Sequence, residues 1–434
     1  MHRLFRNGLF LCCDSVQRVH AGDMRVRQGQ IEEFGVELEA QDAQIHELDG
    51  KWVVPGFVQG HVHLCQTLFR GLAEDLPLLE WLSKRVWPLE AALDEEATYW
   101  SARLGLTELL LGGSTTALDM GSLRHTGSVF RACEEAGLRV TSGRALMDLD
   151  NPAGLSMGME ANLKGACDEA DQWHGRGRLR YAFSPRFVPS CSEGLLREVG
   201  QEARRRKSLI HSHASEHAEE AQLVRERTGR DNVEYLHDLG LSGPDTCLAH
   251  CVQLSEREIA LLVETGTRVL HCPSANMKLG SGIAPVLALL EAGVTVALGA
   301  DGAPCNNRLE MFTEMRQAGL LQKVQEGAEV LPAETILQMA TLEGARSLGL
   351  EDVCGSLEPG KRADLVVINP EAPGLFPSTN AAAAIVYSAT SAAVHEVWID
   401  GECAVREGEV LTWNHRETLE GAGRAQRALQ AALQ

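Results

Sequence analysis

The sequence predicts an α/β fold: a (β/α)8 TIM barrel carrying a small β-sandwich domain formed from both chain ends. Three observations point there. Eight apolar, β-branched runs alternate with helical segments through the middle of the chain, the pattern of strand–helix units in a parallel sheet. The two ends share a different texture of short strands and tight turns. Histidines and acids recur where the apolar runs stop, and a barrel builds its active site at the carboxyl ends of its strands.

In chain order, residues 1–57 read as the first part of the β domain, with an edge strand near 9–12 and strand pairs turning at Gly29 and at Asp49-Gly50. The barrel is expected over 58–354. Its strand runs are 53–62, 115–120, 139–147, 179–187, 208–213, 246–252, 267–272 and 294–300. Helical segments lie between them, such as 94–113 and 255–266. The latter opens on a Ser255-x-x-Glu258 cap and closes at Gly266. An open doubly wound sheet is the alternative, but it usually carries a glycine-rich phosphate loop after an early strand, and none is present. The β texture returns over 355–414, where VWIDGECAV reads as a hairpin around Asp400-Gly401. Residues 415–434 read as a C-terminal helix that packs on the barrel or on another subunit; a homo-oligomer is expected.

Composition narrows the partners. The 434 residues are 44% hydrophobic and 23% charged, ordinary for a globular protein. A formal net charge of −20 repels nucleic acid and anionic membranes, so neither is an expected partner. No apolar run approaches the ~18 residues of a membrane span, and the start lacks a clear cleavage site. Twelve scattered cysteines without a C-x-x-C pair read as reduced, buried thiols, and the expected location is cytoplasmic.

His61 and His63 end the first run, and positions i and i+2 of a strand share a side. His213 ends the fifth run, His250 the sixth and Asp301 the eighth. Three imidazoles (His61, His63, His213) and the Asp301 carboxylate suit one Zn2+ per subunit with an open position for water; Fe2+ is accepted by the same donors. LRYAFSPRF, at the fourth run, offers no lysine or acid to bridge a second metal. Glu216, three residues past His213, is placed to pass a proton between water and substrate; the competing reading is a helix-start acid favoured by the helix dipole. His250 is read as orienting water and substrate, or as a fifth ligand. His211 shares the side of His213 and is read as a core residue, His217 and His271 as local structure. Asn276 and Asn306 lie on loops over the same face.

The stretches PGFVQGHVHL, HSHASE, LAHC, HCPSAN, LGADGAPCNN and GSLEPGKRADLVV resemble the amidohydrolase superfamily nearly end to end. Within it they resemble the aminohydrolases that deaminate purines and triazines. The resemblance implies metal binding by His61, His63, His213 and Asp301, proton transfer by Glu216, and a catalytic role for His250 and Asp301 in holding the tetrahedral intermediate of a hydrolytic deamination. RGLAEDLPLLEWL resembles the S-adenosylhomocysteine, methylthioadenosine and 5′-deoxyadenosine deaminases, and carries ribose-hydroxyl binding to Glu74; capping a helix near residue 76 is the competing role. Trp81 and Trp87 wall the site or pack. Gln66 and SPRFVPSCSE resemble guanine deaminases instead, which carries purine contacts to Gln66 and Arg186. Arg144 meets the substrate's sugar or 5′ side, or pairs with Asp148 or Asp150. The expected substrate is an adenosine-type nucleoside, ahead of guanine or 8-oxoguanine, with triazine chemistry third and a non-catalytic barrel as the reading from another class.

Overall fold

A computed structural model describes residues 2–150, 152 and 154–433. The chain divides into two compact units, one made of the segments up to Gln59, Thr107–Thr116 and Glu310–His415, the other of Gly60–Leu106, Ala117–Leu309 and the chain from Arg416 on.

In the first unit, one nine-stranded sheet combines both chain ends. His2–Leu11 pairs antiparallel with Val19–Arg27, which pairs with Gln30–Gly35. The ends join where Trp52–Pro55 runs antiparallel to Leu365–Ile368, followed outward by Val394–Ile399, Glu402–Arg406 and Glu409–Val410. Alternate side chains point inward, and Phe5, Phe10, Met24, Ile31 and Trp398 form the buried core.

The barrel strands are Phe57–Val62, Ser114–Asp119, Arg139–Ser142 with Ala145–Leu146, Leu179–Pro185, Leu209–Ala214, Thr246–His250, Arg268–His271 and Val296–Leu298, hydrogen-bonded in chain order. Where the sequence reads one run over 139–147, the third strand is interrupted between Ser142 and Ala145, and Gly143 in the gap lies so close to the fourth strand that a Cβ there would stand 1.9 Å from the Ala182 carbonyl oxygen. The eighth strand closes on the first through a parallel bridge, Val62 to Asp301, with the Asp301 N–H donating to the His61 carbonyl at 2.9 Å. Gly299 permits that approach: a Cβ there would stand 2.6 Å from the His61 nitrogen. Closure therefore delivers Asp301 beside His61. The helix Glu256–Thr265 starts on the Ser255–Glu258 capping box and ends at Gly266, φ +69°. The C-terminal helix His415–Ala432 buries Ala422, Ala425 and Leu429 with Leu68, Phe69 and Leu89. All twelve cysteines are free. Among the described residues no helix is long and apolar enough to cross a membrane.

Candidate active site

Strand ends one, five, six and eight bring five polar side chains to one point. His61 and His63 straddle Val62, and each Nε2 lies 3.4 Å from Asp301 Oδ1. The Nε2 atoms of His63 and His213 are 3.2 Å apart. His250 Nε2 lies 3.5 Å from Glu216 Oε2 and 3.7 Å from Asp301 Oδ2. Ser215, His250 and Asp301 all take positive φ, 52°, 73° and 61°. Left-handed backbone at non-glycine residues is costly, and it collects at sites where function fixes geometry.

Neighbouring groups set the tautomers. The Arg186 carbonyl oxygen, at the end of the fourth strand, takes a bond from His213 Nδ1 at 2.6 Å. A carbonyl only accepts, so the proton is on Nδ1 and Nε2 keeps its lone pair. Nδ1 of His250 donates to Asn276 Oδ1 at 2.8 Å, which leaves its Nε2 lone pair facing the cavity. His61 Nδ1 pairs with His211 Nε2 at 2.8 Å, an arrangement that orients His61 as partners behind metal ligands do. His211, read from sequence as core, is buried and touches the site through His61. Asp119, buried at the end of the second strand, accepts from the Leu64 N–H at 2.8 Å and from Ser142 Oγ at 2.6 Å, fixing the turn after His63.

Burial pushes the imidazoles of His61, His63 and His213 below their usual range, so they stay neutral. Burial pushes Asp301 up, but the surrounding His61, His250 and His63 rings outweigh it and hold that carboxyl well below its usual range. Glu216 goes the other way: burial, then the Asp301 and Glu220 charges, raise it well above an ordinary glutamate. Neutral lone pairs thus converge on one carboxylate. His61 Nε2, His250 Nε2 and Glu216 Oε1 are buried without a hydrogen-bond partner among the described residues. Ligand atoms of His61, His63 and Asp301, and of His61, His213 and His250, lie within 4.8 Å of one another. That donor set fits a divalent cation, which would take up the uncompensated lone pairs.

Above this point lies a small cavity. Leu78, Trp81, Leu82, Phe187 and Leu279 form its apolar wall, and Gln66 and Arg186 line it on the polar side. Trp81 is fixed by donating Nε1 to the Ala73 carbonyl at 2.9 Å. Arg186 Nη1 and Gln66 Nε2 both donate to one buried carboxylate, Glu90, at 2.7 and 2.8 Å. Glu90 has no sequence signal: in VWPLEAAL it reads as one more helix acid.

Two expected contacts lie elsewhere. Glu74, about a third exposed (37%), pairs with Lys278 Nζ at 2.6 Å and accepts from Asn307 Nδ2 at 3.2 Å; it is neither a cap nor among the residues lining the cavity. Arg144 pairs with Glu169 rather than with Asp148 or Asp150, and also donates to the Leu123 carbonyl. Asp148 instead takes Ser192 and Asp150 takes Arg227. Asn306 donates to the Ala300 carbonyl, and His217 caps the helix Ala218–Thr228. Trp87 packs in the cluster behind Trp81.

A closed parallel barrel with histidines and an aspartate gathered at its strand ends defines the class, and residues 52–404 match the amidohydrolase family; the chain belongs to that family. It is 41% identical to a 5′-deoxyadenosine deaminase of Methanothermobacter thermautotrophicus, over 93% of each chain. It is 40% identical to a 5-methylthioadenosine/S-adenosylhomocysteine deaminase of Desulforudis audaxviator, over 94% of this chain and 95% of the relative. A zinc-bound crystal structure described as an adenosine deaminase from Xanthomonas campestris superposes with a TM-score of 0.93 at 30% identity, covering 99% of this chain and 98% of that one.

Proposed function

We propose that this chain is a metal-dependent hydrolytic deaminase of adenosine-type nucleosides, releasing ammonia and leaving the inosine analogue. 5′-Deoxyadenosine is the leading substrate, with methylthioadenosine, S-adenosylhomocysteine and adenosine in the same class. The observation that carries the reading is the convergence of neutral imidazole lone pairs on Asp301 beside Glu216, a carboxyl whose proton affinity is raised. The two relatives supply the substrate class.

In this reading His61, His63, His213 and Asp301 hold one cation, zinc as in the Xanthomonas structure, with iron an acceptable substitute. A divalent cation there supplies positive charge that draws the pKa of water toward ~7 and offsets negative charge growing on oxygen. Glu216 takes a proton from the attacking water and delivers it to the ring nitrogen beside the amino-bearing carbon; a raised carboxyl pKa suits both halves of that transfer. His250, its Nδ1 proton committed to Asn276, accepts from the water at Nε2 and aims it. The oxygen adds to the ring carbon, the second proton of the water passes to the amino nitrogen, and the carbon–nitrogen bond breaks with its electron pair to nitrogen, so that ammonia leaves and the oxygen stays as the ring carbonyl. Gln66 and Arg186 contact the purine, held in register by Glu90.

Guanine or 8-oxoguanine deamination is the second reading, favoured by Gln66 and Arg186 both lining the cavity. Ammonia release from 5′-deoxyadenosine, methylthioadenosine, S-adenosylhomocysteine, adenosine, guanine and 8-oxoguanine, measured side by side on zinc-loaded protein, decides between them. The expected result is a higher kcat/KM for the nucleosides; faster turnover of the free bases reverses the assignment.

A further inference from the structure

We propose that Glu220 is a positioning residue for Glu216, pinning the backbone of the proton-carrying glutamate through a buried tether completed by Asn232. This rests on the deaminase reading above for what Glu216 does. Oε2 of Glu220 accepts from the Glu216 N–H at 2.7 Å and from the His217 N–H at 3.4 Å. Oε1 accepts from Asn232 Nδ2 at 2.6 Å. Because a carboxylate only accepts, the amide of Asn232 must turn its nitrogen toward it. Glu220 and Asn232 are both buried.

Helix capping alone does not account for this. In a capping box the glutamate reaches back to the N-cap N–H, here His217. Glu220 makes its shorter bond one residue further back, at Glu216. A cap also works at the surface, whereas a buried carboxylate is costly unless every lone pair has a use. The residue before Glu216 is held as well: the Ser215 carbonyl accepts from the N–H groups of Val252 and Gln253 at 2.9 and 2.8 Å. The peptide units on both sides of Glu216 are therefore fixed, which leaves its side chain only rotamer freedom. The Glu220 charge also adds to the raised proton affinity of Glu216.

The test compares Glu220→Ala, Glu220→Gln and Asn232→Ala in full-length, zinc-loaded protein with 5′-deoxyadenosine as the probe. Glu220→Ala is expected to lower kcat about 50-fold with KM within about threefold and metal content unchanged. Glu220→Gln stays within about fivefold of the parent, because its carbonyl takes the Glu216 N–H and its NH2 faces a turned Asn232 amide. In a Glu216→Gln background, Glu220→Ala adds no further loss, as expected if it acts through Glu216. Hydrogen exchange supplies a readout independent of turnover: the Glu216 amide loses protection in Glu220→Ala. The proposal is overturned by Glu220→Ala keeping kcat within about threefold, by an equal loss in the Glu216→Gln background, or by retained protection at that amide. If the parent deaminates no nucleoside, the deaminase reading fails, and exchange at the Glu216 amide alone decides the tether. If Glu220→Ala does not fold, Asn232→Ala is expected to lower kcat about fivefold with KM held; an unchanged kcat there overturns the proposal.

Discussion

The two polar sides of the cavity are built on opposite principles. Around Asp301 the imidazoles of His61 and His250 and the Glu216 carboxylate keep buried atoms without hydrogen-bond partners among the described residues. Around Glu90 the polar groups answer one another, Gln66 and Arg186 each donating to one of its oxygens. A buried polar atom without a partner costs about 1–3 kcal/mol, so several at one point make sense only where a ligand completes them. A closed network needs nothing added and serves as a fixed template. The difference separates where chemistry happens from where shape is read.

The comparison breaks most sharply at its chemical side. Asp301→Asn removes the only carboxylate among the four proposed ligands and is expected to cost bound metal, read by emission spectroscopy on dialysed protein, together with turnover. Glu216→Gln is expected to keep the metal and lose turnover by about 10²–10⁴-fold. Full metal content in Asp301→Asn, or near-normal turnover in Glu216→Gln, would reject those roles.

On the template side the expected effects are smaller and different in kind. Glu90→Gln leaves the Arg186 charge buried with a weaker partner, so it should cost up to about 3 kcal/mol of stability. It should also raise KM for 5′-deoxyadenosine about tenfold while metal content holds. Glu74→Ala is the matching control. Its ion pair with Lys278 is partly exposed, worth about 0.5 kcal/mol or less, and the variant should treat nucleosides and bases alike. A loss confined to nucleosides would return to Glu74 the sugar-binding role expected from the sequence.

How far the sequence could be read follows the same division. The eight strands and the five residues at their ends are legible because each rests on a local pattern: a β-branched run, then a polar residue where the run stops. The break in the third strand is not: the close approach of Gly143 to the Ala182 carbonyl is a contact between strands that no local pattern marks. Glu90 is invisible for a related reason. It lies 24 residues from Gln66 and 96 from Arg186, and only the folded chain turns a helix acid into the centre of a buried network. Glu74 shows the converse. A motif stretch marks it, yet the loop that carries it turns its carboxylate to Lys278. Glu220 and Asn232 have a signal only at the first level, as a helix start; their hold on Glu216 is tertiary.

A last expected effect, on stability rather than on turnover, concerns His271, a residue outside both sides of the comparison. Both its ring nitrogens are buried without a hydrogen-bond partner among the described residues, and burial pushes its pKa down to about 3. In the unfolded chain the same imidazole titrates near 6.5. Because the folded state binds the proton less tightly, the stability associated with this group is fully present above ~6.5 and is lost as pH falls toward about 3. At about pH 5 the loss amounts to roughly 2 kcal/mol. His271→Leu removes that titration. Its unfolding free energy, from denaturant curves at about pH 7 and 5, should fall less on acidification than that of the parent, by about that amount. The metal ligands also release their cation in acid, but they do so in both proteins, and the difference between the two curves isolates His271. Identical acid slopes would mean that His271 binds its proton equally well folded and unfolded, which requires a partner for a ring nitrogen.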